Sequence, residues 1–393
     1  MNILFNSQGI YSELGDGITT GFAKAGNTIA KYLSKNFDVS YIAHDYTGLP
    51  FEHNGYMVHR GNADYSAREL NTHITQYDYD ALLYLGEPWG AQKYKDIDFE
   101  DCKTIIHVPT DGLPLDSHLT EVKDNFNLII PMSKFGKMTL ESADIQCADP
   151  IPLSFNAKYY KPLSALKLKN IREELELEDK FVINFVGRQQ ERKNLMSMII
   201  AFSKFAADKQ DIVLLLTITI DSHADFGILQ LIQTLGIGDK IKIIQMEHGN
   251  MISDEELANI YCASDVYLST SCSEGFNMPV LESIACGTPA IVSKYSAHIE
   301  LVAQHGELID IEYYKTLSNN TNWAYVSIDD TVLKLNKLYN DRELLLQYSK
   351  DGIKFASQYK DDTIQPMWTE LINNLNDKIE QVEYRKPIRR MKL

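Results

Sequence analysis

The chain has 393 residues, 44% hydrophobic and 23% charged, the composition of a globular protein long enough for two domains. A formal net charge of −16 argues against broad electrostatic binding to DNA or RNA, and no apolar run approaches the roughly 18–20 residues of a membrane span. The five cysteines are odd in number and form no C-x-x-C pair, so they read as reduced thiols in a cytoplasmic protein. The opening MNILFNSQG lacks the basic start of a signal peptide.

In chain order, 2–6 predict a first strand, and a loop with Gly15, Gly17 and Gly21 leads into a helical pattern through Ala23, Ile29, Ala30 and Leu33. Residues 39–42 predict a second strand. The glycine spacing resembles a dinucleotide fingerprint, but the loop is long and no acidic residue clearly ends the second strand. Further strands are expected at 80–85, ending at Gly86-Glu87-Pro88-Trp89, at 104–106, ending at His107 to Gly112, and at 128–130. Residues 163–180 read as a charged helical linker.

A continuous apolar run, 181–186, then reads as a buried strand. It ends in Gly187-Arg188-Gln189-Gln190-Glu191-Arg192-Lys193-Asn194, before a helix from Leu195 to Ala207. Arg188 and Lys193 flank this turn, and two cations ahead of a helix start suit a diphosphate. Strands follow at 212–220 and 241–244, and Ser253 with Glu256 forms a capping box. The chain then reaches DVYLSTSCSEGFNMPVLESIACGTPAIVS, 265–293. It reads as a strand, a small polar loop, a helix opened by Pro279 and stopped at Gly287, and another strand. Glu274 precedes that helix and Glu282 is placed in its first turn, so both carboxylates are expected to face one pocket at the carboxyl edge of a parallel sheet. Carboxylates there suit a ligand rich in hydroxyl donors. A Gly306-Glu307-Leu308 turn and amphipathic helices at 329–340, 341–357 and 362–380 complete the chain, before a tail from Tyr384 to Leu393 with five basic residues.

Glu274-Gly275-Phe276-Asn277-Met278-Pro279-Val280-Leu281-Glu282, followed by Ala285-Cys286-Gly287-Thr288-Pro289, resembles the donor-site signature of retaining glycosyltransferases of the GT-B fold, family 4 type. Gly187-Arg188 with Lys193 is similar to the family's G-R-x(n)-K element. The resemblance implies two Rossmann-like α/β domains facing each other across a cleft. Their expected bounds are 1–162 on the acceptor side, 163–358 on the donor side, a crossing helix at about 360–380 that returns to the first domain, and a basic tail at 381–393.

It also implies roles. A nucleoside-diphosphate sugar, UDP- or GDP-linked, would be the donor substrate, with no further cofactor and no metal. Arg188 and Lys193 would hold the leaving diphosphate. Glu274 would bind sugar hydroxyls, near the amides of Gly275, Phe276, Asn277 and Met278, and Glu282 would hold the ribose. Met246 to Gly249, with His248, would border the base, and Gly21 and Gly187 would line the phosphates. His107 and Asp111 are the first domain's candidates for donor-sugar and acceptor contacts. The acceptor is expected to be a hydroxyl-bearing molecule, with a weak membrane-surface contact open to the basic tail. After Ile151-Pro152 the sequence Leu153-Ser154-Phe155-Asn156 departs from the family's Asn-Gly-Val-Asp. A sugar-nucleotide epimerase or phosphorylase on the same architecture, a dehydrogenase, and a catalytically silent scaffold remain alternatives.

Overall fold

A computed structural model describes residues 1–10, 20–61, 67–99, 101–219, 227–246 and 252–384. It contains two large sheets. The first has strands β1 (Asn2–Ser7), β2 (Asp38–Ala43), β3 (Phe51–His53), β4 (Tyr56–Arg60), β5 (Ala81–Leu85), β6 (Lys103–Val108) and β7 (Leu128–Pro131), in the order β3-β4-β2-β1-β5-β6-β7. All its pairings are parallel except β3 with β4. The second has β8 (Phe181–Arg188), β9 (Ile212–Thr219), β10 (Ile241–Met246), β11 (Val266–Ser269), β12 (Ala290–Ser293) and β13 (Glu307–Ile309), in the order β10-β9-β8-β11-β12-β13, all parallel. Residues 181–186 and all of β9 are buried, because helices cover both faces of a parallel sheet.

The helix Met278–Ala285 has Pro279 at its start, where a missing N–H costs nothing. Gly287 follows its end at φ +91°, a left-handed conformation that glycine adopts without strain. Glu282 is the fifth residue of this helix and so lies beyond the first turn, correcting the expectation above. The cause is that Asn277, in a left-handed conformation (φ 80°, ψ 74°), is the N-cap, so the helix starts at Met278, one residue before the expected Pro279.

Within the expected helical linker, Ala165–Glu174 form a helix capped by Ser164. The expected turn at 306–308 is instead the entry to strand β13. The expected helix at 362–380 is two helices, Asp361–Asn373 and Leu375–Tyr384, parted at Asn374. The first returns to the first sheet: Trp368 is buried with its ring 4.9 Å from that of His107, and Gln365 and Asp361 both bond to Ser154.

A two-stranded antiparallel hairpin, β14 (Ile311–Thr316) with β15 (Asn322–Val326), stands apart from both sheets. Its connecting loop reaches across to the first domain. Ser117 donates its backbone N–H to the Asn319 carbonyl (3.0 Å), and the Asn319 side chain donates to Asp116 (2.8 Å). The five cysteines are free thiols. Among the described residues, no helix is long and apolar enough to cross a membrane.

Candidate active site

The carboxyl ends of β8 and β11 carry two loops that are bonded to each other. The Cys272 N–H donates to the Arg192 carbonyl at 2.7 Å, and the Thr270 hydroxyl donates to the Asn194 carbonyl at 2.9 Å. Asn194 makes the exit to the next helix in a left-handed conformation (φ 51°). This bracing directs Arg192 and Lys193 onto Glu274, which is buried. Arg192 Nη1 lies 2.7 Å from Glu274 Oε2, and Lys193 Nζ lies 2.6 Å from Oε1. Arg192 also donates to the Ser273 carbonyl at 2.6 Å and approaches Asp111 of the first domain at 3.9 Å.

Glu274 is pushed up by burial, but Arg192 and Lys193 outweigh this and hold it well below the usual carboxylate range. Burial lowers Lys193, and Glu274 only partly restores it. Arg192 stays charged, since Glu274 and Asp111 more than offset its burial. The set is two cations sharing one buried carboxylate, with Asp111 facing it.

The two domains touch here. A Cβ on Gly275 would lie 2.3 Å from Pro109 Cβ and 2.9 Å from Asp111 Oδ1, so the close approach requires glycine. Behind the loop, Asn277 Nδ2 meets His298 Nε2 at 2.7 Å, and His298 Nδ1 meets Ser293 Oγ at 2.9 Å. Burial lowers His298 to about 4, so the ring is neutral at pH 7. The Ser293 hydroxyl donates to the Ser271 carbonyl, which leaves it accepting from His298 Nδ1–H while Nε2 accepts from Asn277.

Glu282 is held elsewhere. Lys24, on the helix Gly21–Leu33, lies 2.5 Å from Glu282 Oε1, 2.9 Å from Asp254 Oδ1 and 2.7 Å from the Tyr160 hydroxyl. Tyr261 donates to the other Glu282 oxygen at 3.1 Å. Burial raises Glu282, and Lys24 opposes that rise.

Of the residues singled out in the sequence, the structure therefore joins Lys193, Glu274, Gly275 and Asp111 in one cluster. Arg188 ends β8 with an exposed side chain and takes no part in these ion pairs; the guanidinium on Glu274 is that of Arg192. His107 is fully buried, bonded through Nε2 to the Ile151 carbonyl at 2.8 Å, packed on Trp368 and lowered by burial to about 4. Gly187 is half-buried at the end of β8, Met246 is buried at the end of β10, and Phe276 and Met278 are buried. Gly21 begins its helix in open space. Gly15, Gly17, His248 and the basic tail beyond Tyr384 lie outside the described residues. Among the described residues no group of three or more His, Cys, Asp or Glu side chains is arranged to hold a metal ion.

Sequence reasoning missed Arg192, Lys24 and Glu87. Glu87 follows β5 at the same cleft, and its carboxyl is pushed up to about 8 by burial and by Asp111, against the pull of Arg192. Because the folded protein holds this proton above the ordinary carboxylate range, stability falls as pH rises from the unfolded pKa toward the folded one. We expect the melting temperature to drop between about pH 4.5 and about pH 8, and Glu87→Gln to flatten that slope. Parallel slopes in the two proteins would contradict it.

Residues 167–355 match the family model for glycosyl transferases group 1. Among curated proteins, a D-inositol 3-phosphate glycosyltransferase from Paenarthrobacter aurescens is 29% identical over 153 residues, covering 38% of this chain and 36% of the relative. An uncharacterized glycosyltransferase of Sulfolobus islandicus rod-shaped virus 1 is 27% identical over 195 residues, 48% of this chain and 54% of the relative. The matches thus span a third to a half of these relatives' length. Sucrose-phosphate synthase from Thermosynechococcus elongatus superposes with a TM-score of 0.76 at 16% identity, over 96% of this chain and 99% of the other. HepE from Anabaena, solved with UDP and glucose, gives 0.75 at 18%, over 95% and 100%. At such identities the likeness is one of fold. The chain therefore has the GT-B fold, and its residues 167–355 belong to the glycosyl transferases group 1.

Proposed function

We propose that the protein transfers a sugar from a nucleoside-diphosphate donor to a hydroxyl acceptor with retention of the anomeric configuration. The observation that carries this reading is the pairing of Arg192 and Lys193 with the buried Glu274 at joined strand ends, facing Asp111 across the domain gap. A diphosphate brings the counter-charge these cations lack once Glu274 turns to the sugar hydroxyls. Charge developing on the departing phosphate is then met by fixed cations in a closed site, an effect worth several kcal/mol. No enzyme nucleophile is needed if the leaving phosphate takes the acceptor's proton on the same face. Relatives named as glycosyltransferases and mannosyltransferases, and a fold neighbour solved with UDP-glucose, support a hexose donor on UDP or GDP.

The test is a thermal-shift screen of UDP- and GDP-sugars followed by a transfer assay read by NMR at the anomeric centre. Wild type is expected to be stabilised by one donor, and Lys193→Met to lose about 10²–10³-fold in transfer. Silence toward every nucleotide sugar, or inversion at the anomeric carbon, would refute the reading in whole or in its stereochemistry.

A further inference from the structure

The loop that sends Arg192 and Lys193 into the cleft presents its other side to the β14–β15 hairpin, and between them lies a cavity of about 170 Å³. Its walls include Gln189, Gln190, Glu191, Asn194 and Met196 from the loop and helix start, and Tyr325 from the hairpin. Tyr325 is held flat by Tyr313, whose ring stacks at 4.7 Å and 7° and is itself 55% exposed. The hairpin is fixed at both ends: Ala324 donates to the Cys272 carbonyl at 2.9 Å, and Asn319 bonds to Asp116 and Ser117 of the first domain. Glu191 already has a counter-ion in Lys315 at 2.9 Å.

These features select a ligand class. The cavity of about 170 Å³ is open to solvent and has room for one sugar ring. An aromatic face suits the C–H face of a pyranose, and side-chain amides, each donor and acceptor, suit its hydroxyls. With its one carboxylate neutralised, the cavity offers no net charge to an ionic ligand.

We propose that this cavity is a binding subsite for one neutral pyranose ring, stacked on Tyr325, and that the ring is part of a saccharide acceptor. The acceptor role rests on the glycosyl-transfer reading; the binding does not. The G-R-x(n)-K loop supplies the polar wall, and the hairpin, outside the family's donor-site motifs, supplies the aromatic one.

Saturation-transfer NMR on the full chain, with methyl pyranosides and simple disaccharides as probes and UDP and GDP titrated in parallel, tests it. At least one saccharide is expected to receive saturation through the protons of one ring face. Its affinity should fall about tenfold in Tyr325→Ala and persist in Tyr325→Phe. Met196→Trp, which fills the cavity from the helix side, should abolish the same signal, with nucleotide binding unchanged in all three variants. A nucleotide that binds while no saccharide does would overturn the subsite and leave the transfer reading standing. Saccharide signals that survive both Tyr325→Ala and Met196→Trp would place the sugar elsewhere. Loss of a nucleoside's binding in Tyr325→Ala would make this a base pocket instead. Saccharide binding with no nucleotide binding would keep the subsite and sink the transfer reading.

Discussion

Glu274→Ala is expected to lower the unfolding free energy by about 3–5 kcal/mol, because it strands two partly buried cations that now share one buried carboxylate. Lys193 can shed part of that cost by losing its proton, since burial already lowers it, whereas Arg192 cannot. The destabilisation should therefore ease as pH rises toward the Lys193 pKa and never vanish. A second effect separates this site from an ordinary buried ion pair. In wild type a diphosphate competes with Glu274 for Arg192 and Lys193; in the variant it is their only strong counter-charge. UDP or GDP should thus stabilise Glu274→Ala more than wild type, even as transfer falls by about 10²–10³-fold through loss of the sugar contact. Urea unfolding with and without nucleotide measures both. A variant within about 1 kcal/mol of wild type, or one that nucleotide stabilises less, would count against the assigned geometry.

The strand–loop–helix–strand unit at 265–293 was readable in the sequence because its signals are local. A buried apolar run, a proline at the helix start and a glycine past its end each act within a few residues. Glu274 and Lys193 were readable for the same reason, since each follows a strand whose carboxyl end is obvious. Which of two neighbouring arginines turns inward was not. Arg188 is the last residue of β8 and Arg192 sits in a single 3₁₀ turn, Glu191–Lys193, four residues on; only the bonds between the 189–194 and 269–274 loops decide which reaches Glu274.

The start of the helix at Met278 depends on the left-handed Asn277, whose side chain meets His298 at the start of a later helix. Two hairpins were passed over although one carries a plain sign. Asn54-Gly55, with φ of 50° and 86°, is the turn pair that two-residue hairpins favour, and it joins β3 to β4. The other, β14–β15, alternates poorly because both of its faces find partners or solvent: Tyr313 and Tyr314 are adjacent and both more than half exposed.

The pairing of Lys24 with Glu282 was also beyond sequence reach, since 258 residues separate them. It carries the second large effect. Lys24 comes from the first domain, and Glu282 and Asp254 from the second, so one ammonium bridges two carboxylates across the domain junction. Burial alone would lower Lys24, but Glu282 and Asp254 raise it above its ordinary value, which keeps it charged at pH 7. Lys24→Met preserves the stem and removes the charge, leaving two buried carboxylates facing each other. The expected cost is about 3–5 kcal/mol near neutral pH.

Glu282, already raised by burial, will take up a proton more readily in the variant. A folded carboxylate with a raised pKa is destabilising above its unfolded value and relieved as pH falls, so the deficit should shrink on acidification. Lys24→Met with Glu282→Gln should then be more stable than Lys24→Met alone, because the remaining Asp254 faces an amide that can donate to it. Chemical unfolding of wild type and the two variants at about pH 5 and about pH 8 resolves the pattern. If the single variant loses the same stability at both pH values and the added Glu282→Gln brings no recovery, the ammonium is not what holds these carboxylates, and the junction is stabilised by packing of Tyr160 and Tyr261 instead.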